Sequence, residues 1–170
     1  MSSVCPLTVI GVVHSEHHGA EQTPVQSALN LDEQATVEVH EPFVAGLAGL
    51  AEFDHVWLVT WLDRASRDEG MRQVPFLLRP SGRSVGMFAM RGPNRVNPLG
   101  LSLVRLVGID GAMLRFAGVD LLDGTPVVDI KPYVDRFDRP AGGPRCGWYD
   151  TVPMAQGVRP ADLGPTPRIG

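Results

Sequence analysis

Short runs of β-branched and aromatic residues, each bounded by turn-forming residues, recur along the chain and predict strands rather than long helices. The clearest alternation is ATVEVH at residues 35–40, which is typical of a half-buried strand. DHVWLVTWL at residues 54–62 is almost continuously apolar, which predicts a strand buried on both faces. Further strands are predicted at residues 7–14 and 84–90.

Two Asp-Gly turns punctuate the second half of the chain. Asp110-Gly111 lies between two β-rich runs and predicts a hairpin. DGTPVVDIKPY, residues 123–133, opens on the second Asp-Gly and ends in an X-Pro step that favours extended backbone. One short helix is predicted at residues 41–53, where the apolar spacing is helical although two glycines weaken it.

Six or seven short strands and one short helix predict an all-β fold. A small closed or nearly closed β-barrel is favoured over an open sheet, because closure removes the sheet edges. The absence of regular β-α-β alternation, and of a G-x-G-x-x-G turn after a strand, argues against a Rossmann domain. We expect residues 1–138 to form the barrel domain and residues 139–170, where Pro and Gly dominate, to form an irregular tail.

The composition fits one soluble domain with a substantial core, since the chain has 170 residues of which 44% are hydrophobic. No apolar run reaches the roughly 18 residues that a membrane span needs. The N-terminus has neither a basic region nor a small-residue cleavage site, so no signal peptide is expected. Cys5 and Cys146 are far apart in sequence, which favours a reducing cytoplasm.

Charge is distributed unevenly along the chain, although the net charge is only −4. Residues 1–63 contain nine acids and no Lys or Arg, whereas residues 64–115 contain nine arginines against three acids, or +9 − 3 = +6. Arginine's planar fork suits phosphates and carboxylates, which favours an anionic ligand for this block. A genome-wide preference for arginine explains the same bias equally well.

Histidines and tryptophans form two further groups. His14, His17 and His18 follow an H-x-x-H-H pattern, but without thiolates or a second ligand cluster we predict no metal site. Trp57 and Trp61 fall on one face of a predicted strand, and core packing is the expected role of both.

Two segments carry candidate chemistry. MRGPNRVNPLGLS, residues 90–102, presents Arg91 and Arg95 on a loop stiffened by prolines, which predicts either a solvated turn or a site for an anion. DLLDGTPVVDIKPY contains a turn bracketed by Asp120 and Asp123. These carboxylates could bind a ribose diol or an amino group, and a plain polar hairpin end is the alternative.

These two segments, together with FVAGLAGLAEFDHVWLVTWLDRA, resemble the TsaA-like (TrmO-like) family, and the resemblance covers roughly residues 7–135. It implies a cytoplasmic S-adenosylmethionine-dependent methyltransferase that acts on N6 of threonylcarbamoyladenosine at position 37 of tRNA. It also implies a small β-barrel that works as a homodimer with the cofactor near the subunit interface. We expect the C-terminal tail, including Trp148, at that interface.

The resemblance carries over to individual residues. The implied catalytic residues are Asp63, Arg91 and Arg95. The implied cofactor-binding residues are Pro24, Val25, Gln26, Asp63, Arg64, Arg91, Leu101, Leu121, Leu122, Asp123, Gly124 and Thr125. The chain departs from the family pattern at Val25, where relatives often have Arg, at Asp63-Arg64, where they often have His-Gln, and at Val96, where they have Pro.

Roles for the charged residues follow from the chemistry of methyl transfer. Arg91 and Arg95 are expected to bind a phosphate or a carboxylate of the cofactor or acceptor. Asp63 is a candidate proton acceptor, and hydrogen bonding to the cofactor is the alternative. Two alternatives for the whole protein remain: a methyltransferase of the same fold with another nucleoside or small-molecule acceptor, and a non-catalytic cofactor-binding protein.

Overall fold

The computed structural model describes residues 5–67 and 70–167. Within these residues six antiparallel strands close into a barrel in the order β1-β2-β7-β6-β3-β8, and β8 pairs back onto β1. The barrel strands are β1 Gly11–His14, β2 Gln34–Val39, β3 His55–Trp61, β6 Leu99–Asp110, β7 Met113–Ala117 and β8 Pro126–Pro132. The predicted all-β barrel is therefore confirmed.

Alternation along β3 separates an inner face from an outer face. Val56, Leu58 and Thr60 are fully buried inside the barrel. Trp57 and Trp61 point to the opposite face and are only half-buried, which corrects the prediction that this strand is buried on both faces. On this outer face the Trp57 ring centroid lies 6.3 Å from that of Tyr133, and the Arg67 guanidinium lies 4.7 Å from the Trp61 ring centroid.

The Asp110-Gly111 turn joins β6 to β7 as predicted. Gly111 has φ = 57°, a left-handed conformation that glycine adopts without steric cost. The pairing of β6 with β7 shifts register between Leu106 and Gly108, so the long strand β6 has a bulge there.

The helix predicted at residues 41–53 forms as two 3₁₀ helices, Glu41–Leu47 and Leu50–Glu52. Gly49, between them, has φ = 81° and ends the first helical segment. The α-helix of the described residues is α1, Asp135–Asp138. The other 3₁₀ helices are Ala20–Gln22, Ser27–Leu29, Phe76–Ser81, Met87–Ala89, Gly147–Thr151 and Pro160–Leu163.

The strand predicted at residues 84–90 is mostly wrong. Only Val85–Gly86, β5, pairs as a strand there, with β4, Arg72–Gln73, in a small separate sheet. Met87 and Met90 are both buried while Phe88 is 85% exposed. Residues three apart lie on opposite faces of a strand, and the 3₁₀ turn Met87–Ala89 instead allows Met87 and Met90 both to be buried.

Two hydrophobic clusters stabilise the molecule. The barrel interior is filled by large side chains that solvent does not reach, among them Leu58, Leu114 and Phe116. A second cluster lies outside the barrel and is built from Val74, Leu78, Val85, Met90 and Trp148.

The C-terminal tail folds back onto its own chain through the second cluster. Trp148 is buried there, stacks on Tyr149, and donates its Nε1–H to the carbonyl oxygen of Ala89 at 2.8 Å. The Trp148 side chain therefore packs within its own chain, and the place of the tail at a subunit interface stays a prediction. Neither cysteine forms a disulfide, and both are exposed. None of the helices in the described ranges is long and apolar enough to span a bilayer.

Candidate active site

A large cleft opens where β3 ends and β6 begins, and its volume is about 1240 Å³. Stretches of chain far apart in sequence meet around it, and they come from residues 20–26, 59–65, 70–79, 90–102, 120–125 and 160–167. This volume exceeds the roughly 300–1,000 Å³ of ordinary small-molecule sites, so the cleft has room for a cofactor together with an acceptor.

Most residues predicted for the site line this one cleft. They are Pro24, Val25, Gln26, Asp63, Arg64, Arg91, Arg95, Leu101, Leu121, Leu122 and Thr125. Asp123 and Gly124 stand in the turn behind the lining, where the Arg64 guanidinium donates a hydrogen bond to the Asp123 carbonyl oxygen at 2.8 Å. Arg64 therefore fastens this turn to the end of β3.

The loop at residues 90–98 holds its two arginines in different ways. Arg91 is exposed, donates its backbone N–H to the Tyr149 hydroxyl at 3.1 Å, and donates from its guanidinium to the Leu101 carbonyl at 3.0 Å. Arg95 is half-buried and donates to the carbonyl oxygens of Met87 and Met90. Arg95 thus stabilises the loop itself, whereas Arg91 stays accessible to a ligand.

Asp120 is a cleft residue that the sequence offers as a candidate ligand but that the family resemblance does not include among the site residues. Its Oδ1 accepts a hydrogen bond from the Ser102 hydroxyl at 2.7 Å, and its Oδ2 accepts one from the Ser27 backbone N–H at 2.9 Å. Burial raises the pKa of this carboxyl above its usual value, while the two hydrogen bonds and the nearby Arg91 act in the opposite direction. The sequence offered Asp120 and Asp123 as equivalent brackets of a turn, and only tertiary burial distinguishes them.

Asp63 lies on the exposed rim of the cleft, directly after β3. Its backbone N–H donates to the Trp61 carbonyl at 2.9 Å, and the N–H of Leu62 donates to the Pro98 carbonyl at 2.8 Å. The end of β3 and the arginine loop are therefore joined directly. Asp63 has access to a ligand, but its environment is more solvated than that of Asp120.

Histidines surround the Asp123 carboxylate on the side away from the cleft lining. His14 Nδ1 is 3.8 Å from Asp123 Oδ1 and His18 Nδ1 is 3.9 Å from Asp123 Oδ2, while His17 Nε2 pairs with Glu33 Oε1 at 2.8 Å. Across residues 5–67 and 70–167, no three His, Cys, Asp or Glu side chains are arranged to hold a metal ion. His14 and His18 instead share the Asp123 carboxylate, and His17 pairs with Glu33.

Arginines dominate the charge of the cleft. The basic residues of the lining are Arg64, Arg72, Arg79, Arg91 and Arg95, and the acidic ones are Glu21, Asp63 and Asp120. Glu21 is paired with Arg79, whose guanidinium holds the pKa of that carboxyl below its usual value. The cleft therefore favours ligands with negatively charged groups.

The chain matches known proteins over most of its length. Residues 12–139 match the model described as the tRNA-methyltransferase O N-terminal domain. A "Probable S-adenosyl-L-methionine-binding protein" of Pyrococcus abyssi is 40% identical over 151 residues, which are 86% of this chain and 79% of that protein. A mouse "tRNA (adenine(37)-N6)-methyltransferase" is 40% identical over 96 residues, which are 55% of this chain and 22% of that protein.

A solved structure agrees with the sequence matches. The crystal structure of TrmO from Pseudomonas aeruginosa superimposes with a TM-score of 0.69 at 35% identity, and the match covers 85% of this chain and 62% of that one. This chain therefore spans less than two thirds of that neighbour's length. The family match, which extends over most of the described barrel and cleft, shows that the chain belongs to the tRNA-methyltransferase O family.

Proposed function

We propose that the protein is an S-adenosylmethionine-dependent methyltransferase that methylates N6 of threonylcarbamoyladenosine at position 37 of tRNA. The observation that carries the proposal is that the arginine loop and the segment of Asp120, Leu121, Leu122 and Thr125, distant in sequence, line the same cleft. The family and the named activity of the mouse relative support this reaction.

The residues of the cleft fit the cofactor. The exposed Arg91 is suited to the cofactor's carboxylate, and Asp120 brings a carboxylate that can attract its amino or sulfonium charge. Leu101, Leu121 and Leu122 supply apolar surface for the adenosine. The cofactor-binding roles of these residues, and of the turn that ends at Thr125, are part of the proposal.

The cofactor supplies an electrophilic methyl group, and this chain's residues supply alignment and charge. Methyl transfer to nitrogen is an in-line displacement, so the cleft must hold donor and acceptor about 3–3.5 Å apart. The acceptor N6 carries an acyl group and is more acidic than an ordinary amine, so a weak base is sufficient. Asp63 stands at the rim where it can accept this proton or hydrogen-bond the cofactor, and the pH dependence of the rate in Asp63→Asn distinguishes these roles.

Arginines around the cleft support tRNA as the acceptor. Arg64, Arg72 and Arg91 line the cleft and are exposed, so they can contact phosphates beside the reacting base. Binding through several phosphates should weaken steeply as salt is raised. Turnover that is insensitive to salt would instead favour a small-molecule acceptor.

We infer a homodimer from the outer face of β3 and β6. Along this face Trp57 is opposite Leu103, Val59 is opposite Leu101 and Trp61 is opposite Leu99. Leu99 and Leu101 are 42% and 50% exposed, so the stripe forms an apolar surface that a second copy can cover. The same leucines line the cleft, which would place the cofactor near the subunit interface.

The test is methyl transfer to tRNA that carries threonylcarbamoyladenosine, followed by nucleoside mass spectrometry. Wild-type protein should add one methyl group to that nucleoside, and Arg91→Ala should lower the rate more than tenfold. Arg115→Ala is the matched control, because Arg115 is an exposed arginine of β7 outside the cleft. Near-normal activity of Arg91→Ala would reject the role of Arg91.

A second measurement tests the acceptor in cells. Deleting the chain in its host should remove only the methylated threonylcarbamoyladenosine from total tRNA. Unchanged tRNA nucleosides would reject tRNA as the substrate, and they would favour a small-molecule acceptor or a non-catalytic cofactor-binding role. We also propose a cytoplasmic location, because tRNA is the proposed substrate.

A further inference from the structure

The final part of the tail, residues 156–167, crosses the cleft region and will be termed the C-terminal strap. It lies beyond residues 12–139, which match the family model. Even so, Pro160, Thr166 and Pro167 line the cleft. A wall of the candidate active site is therefore built from sequence that the family match does not include.

The strap is hydrogen-bonded to one side of the cleft through backbone groups. The N–H of Val25 donates to the Val158 carbonyl at 3.0 Å, and the N–H of Gly157 donates to the Leu29 carbonyl. Val25 is the central residue of the Pro24–Gln26 loop, which lines the cleft. The strap thereby fixes the backbone of a predicted cofactor-binding loop.

Arg79 fastens the strap to the other side. Its side chain is only 4% exposed, and it donates to the carbonyl oxygens of Pro160 at 2.8 Å and Gly164 at 3.1 Å. The same guanidinium makes a two-pronged pair with Glu21, with N–O distances of 3.0 and 2.9 Å, and lies over the Phe76 ring. One buried side chain thus joins the strap to the 3₁₀ helix Ala20–Gln22 and to Phe76–Ser81.

We propose that the C-terminal strap is part of the cofactor-binding site and that Arg79 is the positioning residue that holds it in place. The proposal rests on the function proposed for the cleft. Lysine cannot reproduce the role of Arg79, because an ammonium group lacks the planar fork that reaches the carboxylate and two carbonyls together. A ligand that binds a prearranged loop does not have to order it first, so loss of the strap contacts should weaken affinity.

The test compares full-length Arg79→Met with wild type. The dissociation constant for S-adenosylmethionine, measured by calorimetry, should rise about tenfold, while kcat at saturating cofactor should change less than twofold. Arg79→Lys should give a smaller increase. Arg83→Met is the matched control, because Arg83 is an exposed arginine outside the cleft and should leave the affinity unchanged.

Amide hydrogen exchange tests, without any ligand, whether Arg79 holds the strap against the loop at Val25. In Arg79→Met, exchange should accelerate at Val25 and Gly157 and stay unchanged in the barrel strands. If Arg79→Met does not fold, Glu21→Gln removes the negative charge that pairs with the guanidinium, at an exposed position, and should raise the same dissociation constant about twofold. Wild-type affinity in a variant whose strap amides exchange faster would overturn the proposal. Failure of wild type to bind the cofactor would count against the proposed function. Exchange at Val25 in Arg79→Met would still show whether Arg79 holds the strap and this loop in place.

Discussion

Gly100 is a glycine of the arginine-loop motif whose role can be tested by a double-mutant cycle. It lies directly opposite Thr60 in the β3–β6 ladder, and its φ is not among the positive values. A Cβ added at Gly100 would overlap Thr60 Oγ1 and would lie 3.1 Å from Leu62 Cδ2. The glycine is therefore required by packing across the barrel wall and not by an unusual backbone conformation.

The cost of Gly100→Ala follows from these contacts. Overpacking a tight interior by one methyl group costs about 1–3 kcal/mol, and replacing a strand glycine by alanine offsets about 0.5–1 kcal/mol. We expect a net loss of about 1–2 kcal/mol in the free energy of unfolding. Thr60→Ala should be nearly neutral, because the lost methyl group is offset by removal of a buried hydroxyl that has no partner among the described residues.

Urea denaturation of the four proteins in the cycle gives the coupling. Gly100→Ala in the Thr60→Ala background should be almost as stable as Thr60→Ala alone, which corresponds to a coupling of about 1–2 kcal/mol. Thr60→Ser is the matched control background, because it keeps Oγ1 and should not rescue Gly100→Ala. The midpoints should change while the m-values stay constant. Additive effects of the two alanines would refute the packing argument.

Two further predictions concern the Asp120 carboxylate and the apolar outer face of β3 and β6. Because the folded-state pKa of Asp120 is raised, wild-type stability should fall as pH rises from the ordinary carboxyl range through that raised pKa, and Asp120→Asn should remove this fall. Parallel profiles of urea midpoint against pH for the two proteins would contradict it. Leu99→Asp should convert the proposed dimer to a monomer in light scattering, whereas Leu31→Asp, at a 57% exposed leucine outside the stripe, should not. A monomeric wild type would exclude the interface.

The strands that the sequence predicted well are those whose signal is local. Alternation at residues 35–40 and the Asp110-Gly111 turn depend on neighbouring residues, and both appear as expected. The segment at residues 84–90 failed because its apolar residues suit a strand and a 3₁₀ turn equally, and the choice depends on Val74, Leu78 and Trp148 from other parts of the chain. No local pattern contains that information.

The residues of the candidate site also separate into those that the sequence indicates and those that only the tertiary structure reveals. The family resemblance implies that Arg91, Leu101 and the turn at residues 121–125 belong to one site, and the structure gathers them around one cleft. The sequence does not distinguish Asp120 from Asp123, because the burial of Asp120 and its bonds to Ser102 and Ser27 are tertiary properties. The strap was not foreseen either, since a Pro/Gly-rich composition indicates an irregular path but not where the path leads.

The barrel contributes most of the packed core, whereas the cleft is formed mainly by segments outside the barrel, and this separation has a physical reason. Side chains such as Phe116 and Leu58 fill the barrel interior, so a ligand has no space there and must bind where segments outside the barrel meet. Those segments have few ladder bonds of their own. Side chains replace such bonds by donating to backbone carbonyls, as Trp148 does to Ala89 and Arg79 does to the strap. Substitutions at these fastening residues should therefore affect binding before they affect the barrel, because the regions they hold have the least intrinsic stability.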